Sequence, residues 1–286
     1  MAVLENSLEN QVESVKISQM LTCSLSGNTL TIIRQILKDL RKELFREPGF
    51  LLISENGISF FKRDDYAAFV IFEIKKEAFD IFNSEKSQIY RIDLNEFSQQ
   101  LEKVHRLSNN CNIQFKSQGI ELEYHSLKTT AKRELTLEIA PEEEEISNII
   151  KVKELDLSFE LEITEQDNIE EFFTFLFQIE PDSKINSIFK LYIEKNYIKG
   201  EIFDKERKIS HEIKYRMRNN SLFSDESYYD YIYLKKILNL TSSKKKIKEI
   251  KAVRLWFEEN KPLKIRITYN NLDLYYLLAP CEPEED

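Results

Sequence analysis

The chain has 286 residues, 42% of them hydrophobic, with five glycines, six prolines and a net charge of −9. That supplies a core for one large domain or two ordinary ones and excludes a disordered, collagen-like or linker-like chain. The acidic balance argues against a general nucleic-acid-coating protein but leaves room for a local basic surface.

No segment approaches the roughly 18 uninterrupted apolar residues of a membrane span. The acidic opening, MAVLENSLE, lacks the basic region that starts a signal peptide. Cys23, Cys111 and Cys281 are far apart and form no CxxC, which points to a reducing interior and buried thiols.

Residues 1–18 are polar and acidic and read as a flexible extension. Residues 21–27 alternate like a strand, Asn28 or Thr29 can cap a helix, and Pro48-Gly49 ends it near residue 47. Strands follow at 50–54, 58–63 and 67–75, with Asn56-Gly57 as a hairpin turn. Then come a strand at 89–92, an amphipathic helix at 94–107, and strands at 112–116, 120–124 and 133–139. After the acidic run 141–145 the order begins again, with a strand at 158–163, a helix at 168–179 and strands at 187–194, 197–204 and 210–216. A strand at 228–233, a helix from 234 to about 242 and strands at 247–257, 263–269 and 272–278 close the chain. Strand, helix and three strands thus recur four times, an internal repeat with weak sequence identity. The division is 19–139 and 157–280 as two similar domains, 140–156 as connector and 281–286 as acidic tail.

On the first helix Leu30, Ile33, Leu37, Leu40 and Leu44 make a core stripe, and Arg34, Lys38, Arg41 and Lys42 lie on other faces. Taken alone, such a face is an ordinary solvated surface. In a repeat of such helices it is also a row of cations that can follow a phosphate backbone without reading bases. The second helix adds Lys103 and Arg106, and the fourth adds Lys235, Lys236 and, just beyond it, Lys244. The third departs, with Glu170 and Glu171 among Phe, Leu and Thr.

Catalysis finds little support. His105, His125 and His211 have no ligand-like spacing, no phosphate-binding glycine loop exists, and Asp64-Asp65 fits a turn between strands. No metal or cofactor is expected.

Several stretches, in order, resemble the sliding-clamp family of proliferating cell nuclear antigen (PCNA): ILKDL at 36–40, RDDYAAFVIFEI at 63–74, FD at 79–80, YRIDL at 90–94, KPL at 261–263 and LAP at 278–280. The resemblance, to an archaeal or divergent member, runs from about 21 to 280; the 1–18 extension and the region 216–228 depart from it. It implies an α+β clamp subunit of two similar domains, each with antiparallel sheets and two helices. Three subunits, identical or paralogous, would close a ring around duplex DNA. The site implied is intracellular, with the DNA, in the cytoplasm of an archaeon or the nucleus of a eukaryote.

The implied role is that of a processivity factor. DNA polymerase, clamp loader, nuclease and ligase type proteins would dock on it through short hydrophobic peptides. The matching docking positions are Tyr66, Phe69, Ile146, Ile149, Pro262, Leu277, Ala279 and Pro280. By the same analogy, edge strands at about 131–138 and 197–203 would join neighbouring subunits. The acidic third helix favours one alternative, a clamp-fold regulator or protein-binding module that does not encircle DNA.

Overall fold

The computed structural model describes residues 21–43, 49–64, 67–84, 87–105, 108, 110–116, 119–125, 130–139, 143–177, 187–194, 196–204, 209–217, 226–230, 232–235 and 247–281. The first repeat comprises β1 (Leu21–Ser26), α1 (Gly27–Glu43), β2 (Gly49–Ser54), β3 (Gly57–Asp64) and β4 (Ala68–Lys75). A 3-10 turn (Lys76–Ala78) and the short β5 (Ile81–Asn83) follow it. The second comprises β6 (Gln88–Ile92), α2 (Leu94–His105), β7 (Asn110–Lys116), β8 (Gly119–His125) and β9 (Thr130–Thr136). Between the halves lie β10 (Glu138–Ile139) and α3 (Glu143–Lys153). The third comprises β11 (Phe159–Ile163), α4 (Gln166–Phe177), β12 (Ser187–Glu194), β13 (Tyr197–Asp204) and β14 (Ile209–Arg216). The fourth has β15 (Glu226–Asp230), a helical turn at 232–235, β16 (Ala252–Phe257), β17 (Leu263–Thr268) and β18 (Leu272–Leu278).

Each repeat gives away its first strand. The last three strands of every repeat form an antiparallel meander, and the first strand of the companion repeat adds to its edge. Thus β1 pairs with β7, β6 with β2, β15 with β12 and β11 with β16. The meanders of the first and fourth repeats then join through β4 and β18, in register from Ala68↔Leu278 to Ile74↔Leu272. The product is a nine-stranded sheet, β10-β6-β2-β3-β4-β18-β17-β16-β11, running through both halves. The second and third repeats build separate sheets, β5-β1-β7-β8-β9 and β14-β13-β12-β15.

Local chemistry sets the elements. Asp93 caps α2, its Oδ1 accepting the backbone N–H of Asn95 at 2.8 Å and of Glu96 at 3.1 Å. Gly57 turns the β2–β3 hairpin with φ 134°, and a Cβ there would meet the Ile74 carbonyl oxygen at 2.1 Å. The main core lies against the inner face of the nine-stranded sheet. It takes Leu30, Ile33, Leu37 and Leu40 from α1, Phe97, Leu101 and Val104 from α2, and Ile169, Phe172 and Phe173 from α4.

Several expectations need correction. The connector 140–156, given no secondary structure from the sequence, is mostly the helix α3. The segment 133–139 is two strands in different sheets, because the chain switches sheets at the buried Leu137. Residues 247–250 turn rather than extend, the N–H of Ile250 reaching the Ile247 carbonyl. The fourth-repeat strand ends at Asp230, not 233. Strand β13 lies inside its sheet, so the free edge there is β14. The 1–18 extension, the residues after 281 and the fourth helix beyond 235 lie outside the described residues.

One ionic group sits inside the seam. Asp273 on β18 is fully buried and receives Arg266 Nη2 at 2.7 Å, Thr268 Oγ1 at 2.7 Å and Lys75 Nζ at 2.8 Å. Burial pushes its carboxyl pKa up, but the hydrogen bonds from Arg266, Lys75 and Thr268 outweigh burial and hold it below the ordinary value. A depressed folded pKa means stability that is full above the unfolded pKa, about 4, and is lost as the pH falls through the folded one. Asp273→Asn leaves two cations without their carboxylate and should cost about 3 kcal/mol in urea unfolding at neutral pH. The difference between variant and wild type should shrink below about pH 4. A pH-independent difference would remove the carboxylate charge as its source.

Candidate functional surfaces

Two surfaces carry the predicted site residues. The first is the pair α1 and α2, packed side by side. Lys38 and Arg41 of α1 both reach Glu102 of α2: Lys38 Nζ lies 3.0 Å from Oε1 and Arg41 Nη2 lies 3.6 Å from Oε2. Two of the predicted cations are therefore partly neutralised by one carboxylate that the residue pattern did not single out. Gln35 donates to both oxygens of Asp39, which is nearly buried, so Asp39 is tied within its own helix. Arg34 is half-buried, and its Nε has no partner among the described residues. Lys103 is exposed on α2, and Lys235 is half-buried in the turn at 232–235. Arg106, Lys236, Lys244 and the Lys42 side chain lie outside the described residues.

On α4 the exposed positions are Asp167, Glu170, Glu171 and Thr174, and the helix carries no Lys or Arg. Its other face is aromatic, with Phe172 and Phe175 packed on Tyr215 of β14.

The second surface is the outer face of the nine-stranded sheet at the β4–β18 seam. Phe61, Ile71, Tyr275 and Leu277 point outward there, and α3 covers them with Ile146 and Ile149. Phe50, Leu52, Phe69, Ile89, Ile150 and Val152 pack around this second core. The structure thus brings together four of the predicted docking residues: Phe69, Ile146, Ile149 and Leu277. Leu277 is 1% exposed and the two isoleucines 2%, so the expected shallow surface patch is filled by the chain's own helix. Pro262, Ala279 and Pro280 are half-buried and lie outside the cluster. The end of the chain turns instead to β15, with Pro280 bridged to Tyr229 and the Cys281 N–H donating to the Tyr228 carbonyl at 2.8 Å. Tyr66 lies outside the described residues.

Lysines hold the C-terminal end of α3. Lys264 on β17, 7% exposed, donates to the Lys153 carbonyl at 3.1 Å and the Leu155 carbonyl at 2.7 Å, and its ammonium sits 4.6 Å from the Trp256 ring centre. A cation on the last carbonyls of a helix complements its dipole. Burial pushes the Lys264 pKa down, and the charges of Glu160 and Asp156 work against that. Lys153 pairs with Glu73 of β4 and lies 4.5 Å from the Tyr275 ring centre.

The sequence carries a signal for α3. Ile146, Ile149 and Ile150 stand at helical spacing, glutamates open the segment and lysines close it. Cys23 and Cys111 are free and fully buried, and burial pushes the Cys111 thiol up to about 12, which suits packing rather than nucleophilic chemistry. Among the described residues no group of His, Cys, Asp and Glu is placed to hold a metal ion, and no helix is long and apolar enough to cross a membrane.

No family model matches the sequence, and no curated protein matches it either. Solved structures do. One is PCNA from Entamoeba histolytica, 13% identical, with a TM-score of 0.65 over 92% of this chain and 99% of that one. Another is the PCNA2–PCNA3 complex from Sulfolobus tokodaii, 16% identical, with a TM-score of 0.66 over 91% of this chain and 98% of that one. The architecture is that of a DNA clamp, an α+β fold of antiparallel sheets and a few helices. Specifically, the chain has the PCNA-like clamp fold.

The Glu102 clasp has a measurable size. Lys38 is about one-third exposed, so a double-mutant cycle of Lys38→Ala with Glu102→Gln should give a coupling of about 0.5 kcal/mol in urea unfolding, shrinking as salt rises. No measurable coupling at low salt would mean that the pair does not persist in solution.

Proposed function

We propose that this chain is one subunit of a DNA sliding clamp, a ring around duplex DNA that keeps a polymerase on its template and has no catalytic step of its own. One observation carries the reading. The last strands of the first and fourth repeats, β4 and β18, pair with each other, whereas the last strands of the second and third, β9 and β14, end their sheets with no partner strand among the described residues. Pairing β9 of one subunit with β14 of the next repeats the internal joint between subunits. Each joint would pair two backbone edges whose N–H and C=O groups are otherwise left to water. A similar solved structure holds two different clamp chains, so paralogous partners belong to this reading as much as identical ones do.

In such a ring the domains would be 19–139 and 157–280, with α1 and α2 turned to the DNA. Arg34, Lys38, Arg41 and Lys42 would approach phosphates, together with Lys103, Arg106, Lys235, Lys236 and Lys244. Polymerase, loader, nuclease and ligase type proteins would dock at the seam beside α3 through short peptides with apolar and aromatic anchors.

The acidic face of α4 and the Glu102 clasp favour a second reading, a clamp-fold regulator that does not encircle DNA. The two readings separate on assembly and on charge. One of two adjacent prolines, Lys132→Pro or Arg133→Pro, removes an N–H directed away from β8. It should therefore block assembly while leaving the subunit folded. Light scattering should show a trimer, alone or with paralogues, and a monomer in one of the two variants. Glu102→Gln should strengthen binding to short linear duplex DNA, where topology does not hold the ring, at any sequence and steepen its salt dependence, by roughly one phosphate contact for each cation released. A trimer that ignores both prolines, or binding to linear duplex untouched by Glu102→Gln and by Lys38→Ala with Arg41→Ala, would favour the regulator.

A further inference from the structure

The second core raises a question of its own, because the covering element is a poor helix on its own terms. α3 has 11 residues, shorter than the roughly 12–15 at which isolated helices become even marginal in water. Four of its residues, Ile146, Ile149, Ile150 and Val152, are β-branched, which lowers helix propensity and raises extended propensity. Ser147 and Asn148, both exposed, weaken it further. Its helicity therefore depends on its seat: two buried isoleucines on Phe61, Ile71, Tyr275 and Leu277, and the lysine contacts at its C-terminal end. The seat itself does not depend on α3, since its residues stand on β3, β4 and β18, which the sheet pairing holds in register.

We propose that α3 is a latched lid: in the free protein it occupies the apolar trough on the outer face of the β4–β18 seam, and a partner peptide with apolar and aromatic anchors binds there by displacing it. This rests on the docking reading given above and adds how that site is controlled. Lys264 is the latch. Its ammonium bonds the carbonyl of Lys153, the last helical residue, and that of Leu155 just beyond the helix end, so both bonds are made only while the chain leaves α3 as it does here. The peptide takes the places of Ile146 and Ile149 on the same residues of the seam. Affinity is then lowered by the fraction of molecules whose lid is shut, and anything that loosens the latch tightens binding without touching the peptide.

Two variants move the lid in opposite directions. Lys264→Met keeps the volume and loses the donor. Ser147→Ala with Asn148→Ala strengthens the helix at exposed positions and cannot open the core. The probe is a synthetic peptide carrying one leucine spaced from two adjacent aromatic residues, titrated by calorimetry, with amide exchange followed across residues 146–153. Lys264→Met should speed exchange of these amides relative to β4 and β18 and bind the peptide about tenfold more tightly; the double alanine variant should bind about threefold more weakly. In the wild type, saturating peptide should raise exchange in α3 while protecting β4 and β18. Equal binding by all three proteins, or a peptide complex in which α3 stays as protected as before, would overturn the lid and leave the docking reading standing. No binding by any of them up to the solubility of the peptide would overturn both.

Discussion

The pairing of β4 with β18 is the constraint to which the rest of the molecule answers. A sheet that crosses the middle of a protein has two faces to keep from water, and both must be apolar where they are covered. The inner face meets the helices and the two smaller sheets. Among the described residues the outer face meets no sheet, and α3 covers the seam there. This explains why every residue of β18 is buried although it is the last strand of the chain. It also explains the polarity of α3. The seam is apolar where Phe69 stands opposite Leu277 and ionic where Glu73 stands opposite Asp273. α3 runs along that gradient, with Ile146 and Ile149 on the apolar part and Lys153 on Glu73. Burying the two isoleucines contributes about 1.5–3 kcal/mol each, which holds a segment that does not hold itself.

What the sequence made legible was the backbone pattern of each repeat. The strands Ser187–Glu194, Tyr197–Asp204 and Leu272–Leu278 end where alternation meets a turn signal, and local chemistry decides such ends. The clamp architecture was legible through short stretches taken in order. What stayed hidden depends on partners distant in sequence. Leu137 marks a change of sheet only because β10 finds β6. β13 is the middle strand of its meander and pairs on both sides; that β14 rather than β12 is left at the edge follows from β15 adding beside β12. Glu102 reads as one more charge on a helix until α1 and α2 pack and bring Lys38 and Arg41 to it. Leu277 reads as a surface anchor because the helical stripe of 143–153 hides behind an acidic start.

The electrostatics of the helices are moderate by construction. α1 offers cations, but two of them share a carboxylate on α2, and α4 offers only acids among its exposed charges. A protein built to grip DNA would avoid this. A protein held by topology gains from it, since strong phosphate contacts act as friction on a sliding ring. For the sliding ring proposed above, the net charge of −9 would work in the same direction by keeping the remaining surface from the backbone. In a mixed ring, partner subunits with more basic helices would supply the attraction that α4 withholds.

The internal joint and the proposed external one differ in a way that suits their tasks. β4 and β18 are apolar on both faces over most of their length and mostly buried, so their joint closes once, during folding, and exposing it would cost the cores on both sides. β9 ends a sheet with Thr130, Lys132, Arg133, Glu134 and Thr136 exposed and only Leu135 buried. β14 shows the same pattern at its described end, with Lys214 and Arg216 exposed around the buried Tyr215. Strands of this kind remain soluble when unpaired, because charged side chains blunt the edge while the backbone groups stay in water. Joining them gains mainly backbone hydrogen bonds, each worth about 1 kcal/mol net once water is displaced. A ring closed by such joints is firm in sum and can still be opened at one of them. A clamp placed around DNA without free ends would need that combination, and β18 and β9 differ in side-chain polarity in the sense it requires: one strand buried at a seam, the other a charged, exposed edge.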